Sequence, residues 1–200
     1  MESTIAIAGC VGHMGATTQA IQAVRVLSKI GYKVCYLEMN RTDYLNDLVN
    51  LYANAIDEKD KVVYSGIPMY KRNYAKAFNR GNYDYVVKDY GNTDSDTFEE
   101  ISFTEQDIKI IVCGSKPNEI FKTQRLLMDP SYDDAFFFFS FVPENERISI
   151  KSLMAERADH TFFTEIVMDP FIWSHESAKL FQKIVNFDSK EDEEANHGRK

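Results

Sequence analysis

Apolar runs of four to eight residues alternate along this chain with segments of helical spacing, an order that predicts strand and helix in turn. The first run is Thr4-Ile5-Ala6-Ile7-Ala8, and the loop after it, 9–18, carries glycine at 9, 12 and 15. From Thr17 to Ile30 the apolar positions Ala20, Ile21, Val24, Leu27 and Ile30 fall on one helical face, and Gly31 suits the position just past the helix end. A second apolar run ends at Asn40. Strand, glycine-bearing loop, helix and strand make a βαβ unit. Its loop lies at the carboxyl end of a strand and the amino end of a helix, where unpaired N–H groups and the helix dipole attract phosphate. That loop is the candidate ligand site.

The pattern continues downstream. Thr42-Asp43 predicts the cap of a helix to about Tyr52, with Tyr44, Leu45, Leu48 and Leu51 as its buried stripe. Lys61–Tyr64 and Ile67–Tyr70 flank Ser65-Gly66 and read as a strand and an edge element, because Pro68 cannot donate to a ladder. Asn73–Phe78 reads as a short helix, Tyr83–Lys88 as a strand ending at Asp89, and Asn92–Asp96 as a polar loop or helix start. Lys109–Gly114 is a strand, followed by a helix to about Met128 with Pro117 in its first turn. Ala135–Val142, with its four successive phenylalanines, predicts a strand buried on both faces. Pro143 opens a helix containing Ile148, Ile150, Leu153 and Met154; His160–Val167 is a last strand, and Ser174–Phe187 a final helix with Ala178, Leu180, Phe181, Ile184 and Val185 facing the core. The alternation predicts an α/β fold of three layers, a mostly parallel sheet flanked by helices.

Two hundred residues suit one such domain, placed at 1–187, with the acidic tail 188–200 read as disordered. A net charge of −8 argues against the clustered basic footprint of a nucleic-acid binder, so nucleic acid is not expected as a partner. No run approaches the ~18 apolar residues of a membrane span, and the tail has no basic amphipathic face, so membrane insertion is not expected. Cys10, Cys35 and Cys113 fall in or just after strand patterns with no leader before them, which reads as reduced thiols in a cytoplasmic protein. His13, His160, His175 and His197 are scattered, and no Ser-His-Asp or Cys/His spacing offers another chemistry.

A P-loop requires Gly, four residues and then Gly-Lys-Ser/Thr, and those places hold Cys10, Gly15, Ala16 and Thr17. The run Val11–Thr18 resembles the deviant loop Lys-Gly-Gly-x-Gly-Lys-Thr-Thr of the ParA/MinD family of P-loop ATPases. Val11 and Ala16 replace its two lysines, and His13 its second glycine. Gly31–Asn40 is similar to the family's second strand, which ends in two aspartates one residue apart; Glu38 keeps a carboxylate and Asn40 an amide. Asn82–Gly91 resembles the strand and switch loop that deliver a Mg²⁺-associated aspartate, here Asp89.

The resemblance implies ATP or ADP cradled by Gly12, His13, Met14, Gly15, Ala16, Thr17 and Thr18, Mg²⁺ held by Thr17 and Asp89, and Glu38 and Asp89 as the catalytic carboxylates. It also puts Lys116 near the nucleotide, where a surface lysine is the plainer reading, and likens Met168-Asp169-Pro170 to a loop beside the base. Without the lysines hydrolysis is expected to be weak or absent. The expected role is regulatory, or in assembly or positioning, as a homodimer or as a heterodimer with an intact homologue. The alternative is a nucleotide-independent pseudo-ATPase that works as a protein-interaction module, with His13 filling the pocket. An amidoligase or dethiobiotin-synthetase-like enzyme would need the same missing lysine.

Overall fold

The computed structural model describes residues 3–58, 61–72 and 82–197, with side chains described to residue 186. In chain order the strands and helices are β1 (Ser3–Gly9), α1 (Ala16–Lys29), β2 (Val34–Glu38), α2 (Tyr44–Leu51), β3 (Ile56–Asp57), β4 (Lys61–Tyr64), β5 (Ile67–Tyr70), β6 (Tyr85–Asn92), α3 (Glu100–Thr104), β7 (Ile108–Cys113), α4 (Pro117–Leu127), β8 (Phe136–Phe139), α5 (Arg147–Met154), β9 (Thr161–Phe163) and α6 (His175–His197). They build the expected three-layer α/β architecture around one sheet of order β3-β4-β5-β2-β6-β1-β7-β8-β9. From β5 to β9 every neighbouring pair is parallel, and β3 and β4 add an antiparallel edge.

β1 lies inside the sheet, with Ile7 beside Asp89 of β6 and Gly9 beside Val112 of β7. Helices cover both faces, so β1 from Ile5 on, β7 apart from Lys109, and the phenylalanines of β8 are apolar and buried. Phe138 packs on Phe181 of α6 at 5.6 Å between ring centroids, and Phe136 stacks on His160 at 4.9 Å. The three cysteines are buried, and none of them forms a disulfide.

α1 is buried on both sides. One side meets the sheet; the other is crossed by a strap, residues 165–173, that links β9 to α6. Gln22 Nε2 donates to the carbonyls of Pro170 and Ile172, each at 2.7 Å. Phe171 meets the Tyr64 ring at 4.6 Å, and the Lys29 ammonium sits 4.6 Å above Trp173. These contacts bury Gln19, Gln22, Ala23 and Val26 along with the sheet-facing stripe.

Several expectations change. β5 is an interior strand: it forms a hairpin with β4 through Ser65 and Gly66, at φ 52° and 78°, a pair of positive angles suited to a tight two-residue turn. Pro68 is tolerated because the ladder with β2 starts one residue later, at Met69. Leu51 is 77% exposed, since α2 ends there; Leu45 and Leu48 are buried, and Tyr44 packs against the core partly buried. β6 runs past Asp89 to Asn92 through an irregularity in its register. β8 and β9 are shorter than their apolar runs, because Phe141 turns away at φ 61° and residues after Phe163 enter the strap. Asn92–Asp96 forms the end of β6 and a turn ahead of α3. α6 continues beyond Phe187 to His197, consistent with the helix preference of Glu, Lys and Ala. The short helix read at Asn73–Phe78 lies outside the described residues.

Candidate functional site

The loop between β1 and α1 is fixed at its root from both sides. Cys10 N–H donates to the Val112 carbonyl at 2.9 Å, Thr93 N–H to the Gly9 carbonyl at 2.8 Å, and the Thr93 hydroxyl to the Cys10 carbonyl at 3.1 Å. A side chain at Gly9 would not fit, since its Cβ would stand 2.6 Å from the Val11 oxygen. Met14 is buried and plugs the loop from beneath, its sulfur 3.2 Å from where a Cβ on Gly114 would stand.

The loop turns at His13 and Gly15, with φ of 65° and 91°. Histidine enters this left-handed region more readily than most side chains, so the backbone path survives where the ParA/MinD pattern has glycine. His13 itself is exposed. Apart from the turn closed over Gly12 and His13, no described backbone carbonyl accepts from the N–H groups of residues 12–18; the first bond closing α1 runs from Gln19 N–H to the Gly15 carbonyl at 2.9 Å. Successive unpaired N–H groups around left-handed residues, at the positive end of a 14-residue helix, make an anion-attracting concavity.

Asp89 lies at the foot of that loop, fully buried. Its Oδ2 accepts the Thr17 hydroxyl at 2.6 Å and the Tyr36 hydroxyl at 2.7 Å, and its Oδ1 accepts the Gly91 N–H at 2.9 Å. Burial pushes the Asp89 carboxyl above its ordinary range, against the pull of these donors. Burial also holds the Tyr36 phenol well above its usual range, so it remains a donor. Glu38 stands beside Asp89 in register and is buried too. Burial pushes its carboxyl up to about 7, the Leu45 N–H opposing and the Asp89 charge adding to the rise. No described ion pair brings a lysine or arginine to either carboxylate.

Thr17 and Asp89 are therefore brought together as expected, with Glu38 next in register. The other residues serve differently. Glu38 Oε1 accepts the Leu45 N–H at 3.4 Å, so its described bond caps α2, where Asp43 sits at φ 54° and makes no cap bond. Asn40 holds the turn after β2: its amide donates to the Asp89 carbonyl at 3.1 Å and its oxygen accepts from Thr42. Ala16 is buried and brings no charge to the loop. The Lys116 side chain is 78% exposed and lies 3.7 Å from Glu119, the neighbour that caps α4. Tyr36 was missed from sequence, although it precedes Glu38 by two residues and so shares its face of the strand.

The residues present fit a Mg-nucleotide in part. A hydroxyl and a carboxylate on adjacent elements are donors of the type Mg²⁺ takes when phosphates complete its shell. A Cβ on Gly12 would meet only Asn92 Nδ2, at 3.9 Å, so the approach to the loop N–H groups is open there. What is missing is cationic.

A parallel sheet with a glycine-bearing loop, a threonine at the start of α1 and a strand-borne aspartate beneath it is the arrangement of a P-loop fold. The solved structures it matches narrow this to the ParA/MinD-like fold. A plasmid partition protein from Borrelia burgdorferi B31 bound to AMPPNP superimposes with a TM-score of 0.62 at 14% identity, over 95% of this chain and 99% of that one. MinD in the MinC:MinD cell division complex of Aquifex aeolicus gives 0.57 at 16% identity, over 84% and 82% of the two chains. The pNOB8 ParA bound to nonspecific DNA gives 0.57 at 14% identity, over 92% of each. No family model and no curated protein matches the sequence. Since a DNA-bound ParA shares the fold, the expectation against nucleic acid rests on net charge alone and is not carried by the architecture. No described helix is long and apolar enough to cross a membrane.

Proposed function

We propose that this chain is a ParA/MinD-like nucleotide-binding protein that takes ATP or ADP with Mg²⁺ in the β1–α1 loop, hydrolyses it very slowly or not at all, and serves as a regulatory, assembly or positioning factor. The observation that carries this reading is the 2.6 Å bond from the Thr17 hydroxyl to Asp89 beneath a loop and first helical turn whose N–H groups at 15–18 have no described backbone partner. An incidental strand end has no need of a fully buried carboxylate aimed at the first turn of the helix. The bound-nucleotide neighbour of the same fold supports the assignment of the ligand class.

In this reading the N–H groups of residues 12–18 bind the phosphates, and Thr17 and Asp89 hold the metal, which would screen phosphate charge. The Tyr36 hydroxyl and the Gly91 N–H orient the Asp89 carboxylate. Phosphoryl transfer depends on positioning and on cationic stabilisation of developing charge. Val11 and Ala16 supply none, so binding outlives turnover. A heterodimer in which an intact homologue supplies the lysine would restore the missing charge, whereas a homodimer carries Val11 and Ala16 in both copies and would not.

Calorimetric titration of the nucleotide-stripped protein with ATP and ADP, with and without Mg²⁺, tests the reading. Magnesium-dependent binding lost in Gly15→Glu, which fills the concavity, is the expected result. Absence of heat and of thermal stabilisation at millimolar nucleotide would overturn it in favour of a nucleotide-independent interaction module.

A further inference from the structure

The strap has two unlike sides. Its inner side is tied down by Gln22, Tyr64 and Lys29, as described above. On its outer side Ile166, Met168 and Ile172 are 64%, 91% and 62% exposed. A groove of about 430 Å³ opens between these side chains and the first turn of α6, and Trp173 forms part of its wall. Three aliphatic side chains exposed within seven residues make a contiguous apolar surface of the kind that marks an interaction site.

The charged side chains lining the groove are Glu165, Asp169 and Glu176, with no lysine or arginine among them. Glu176 is paired with Lys179 at 2.7 Å. Glu165 accepts the Ser174 hydroxyl and Asp169 accepts the Phe171 N–H at 2.8 Å, and neither belongs to a described ion pair. Ser174 also caps α6, taking the Ser177 N–H at 2.9 Å, so Glu165 covers the positive end of that helix. The groove is thus apolar with an acidic rim.

We infer that the strap is a docking surface for a cationic amphipathic helical segment of a partner protein. Its apolar face enters the groove beside Ile166, Met168 and Trp173, and its lysines or arginines meet Glu165 and Asp169. The carboxylates disfavour an anionic lipid surface. A second copy paired strap to strap would set like charges against each other. The Trp173 end of the surface lies away from the phosphate loop: Trp173 packs under Lys29, about 20 Å along α1 from Ala16 by helix rise.

Trp173 is the chain's single tryptophan, so its emission reports directly on the groove. The full chain is titrated with an amphipathic Leu/Lys helical peptide of about 18 residues, and with the same peptide carrying glutamate for lysine. A saturable blue shift with the lysine peptide alone is expected. The double variant Ile166→Ser/Met168→Ser should weaken binding about tenfold or more. Glu165→Gln/Asp169→Asn should weaken it and flatten its salt dependence. Glu144→Gln/Glu146→Gln, at an exposed acidic site elsewhere, should leave it unchanged. All these positions are at the surface or partly exposed, and circular dichroism verifies that each variant is folded. Equal response to both peptides, or equal binding by all variants, would overturn the inference as mere charge attraction. It would also be overturned by a shift that tracks self-association in sedimentation, or one seen with anionic vesicles and not with the peptide.

Discussion

Glu38→Gln isolates the energetic role of a buried acid while keeping an oxygen for the Leu45 N–H. The carboxyl's ordinary value of 4.5 is pushed up to about 7 by burial in the folded chain. Between those values the folded state holds a proton that the unfolded state has released. Below 4.5 both states are protonated and the group contributes nothing; above about 7 the folded state bears the whole burden of a buried charge. At about 1.4 kcal/mol per pH unit, that gap removes about 3 kcal/mol of stability as pH rises through the window. Asp89, displaced in the same direction by burial, is unchanged in the variant, so the difference between the two proteins isolates Glu38. Urea unfolding of both proteins from pH 4 to 8.5 should therefore give curves that diverge with rising pH, Glu38→Gln becoming the more stable by about 3 kcal/mol at the alkaline end. Parallel curves, or a variant that loses more stability than the wild type as pH rises, would refute the reasoning.

Gly91→Ala should destabilise the fold by about 1–3 kcal/mol in thermal unfolding, because φ is 75° there and the new Cβ would stand 2.9 Å from Asn40 Cβ. A neutral result would mean that β6 straightens without strain. Phe181→Ala removes a fully buried ring from between α6 and Phe138 and should cost about 3–5 kcal/mol by urea titration. Ala16→Lys returns a cation to the loop, and calorimetry should show ATP affinity rising about tenfold or more, the size of one charge-assisted hydrogen bond. Unchanged affinity in that variant would show that the loop does not meet phosphate.

The order of strands and helices was legible because burial on both faces writes itself as uninterrupted apolar runs, as in Thr4–Ala8 and the phenylalanines of β8. Where a neighbour decides, the sequence is silent. Pro68 reads as an edge signal, yet its tolerance depends on where the ladder with β2 begins. The strap reads as the end of a strand, because what draws it off the sheet is Gln22, some 150 residues earlier. In the site, Thr17 and Asp89 were found by their places in a pattern, but their bond exists only through the register that sets Ile7 beside Asp89. Glu38 was read for chemistry and proves to cap α2, a duty the local residues Thr42-Asp43 had been assigned. That exchange is invisible without tertiary structure, since Asp43 is a good capping residue by type and fails only through its left-handed backbone.

The position of β1 in the sheet bears on how the chain is made. Ser3 pairs with Tyr85, and Ile5 with Ile108, so during synthesis neither edge of β1 finds its partner until much later. At about 5–20 residues per second, roughly eighty further residues pass before β6 is complete and roughly a hundred before β7 is, so one edge of this apolar strand stays open for about 5–20 s. Nascent chains halted before Cys113 should therefore be protease-sensitive and bound by chaperones, and protection should arrive abruptly once β7 clears the exit tunnel. Synthesis rate around the β6–β7 segment then becomes a determinant of yield, apart from the stability of the finished protein.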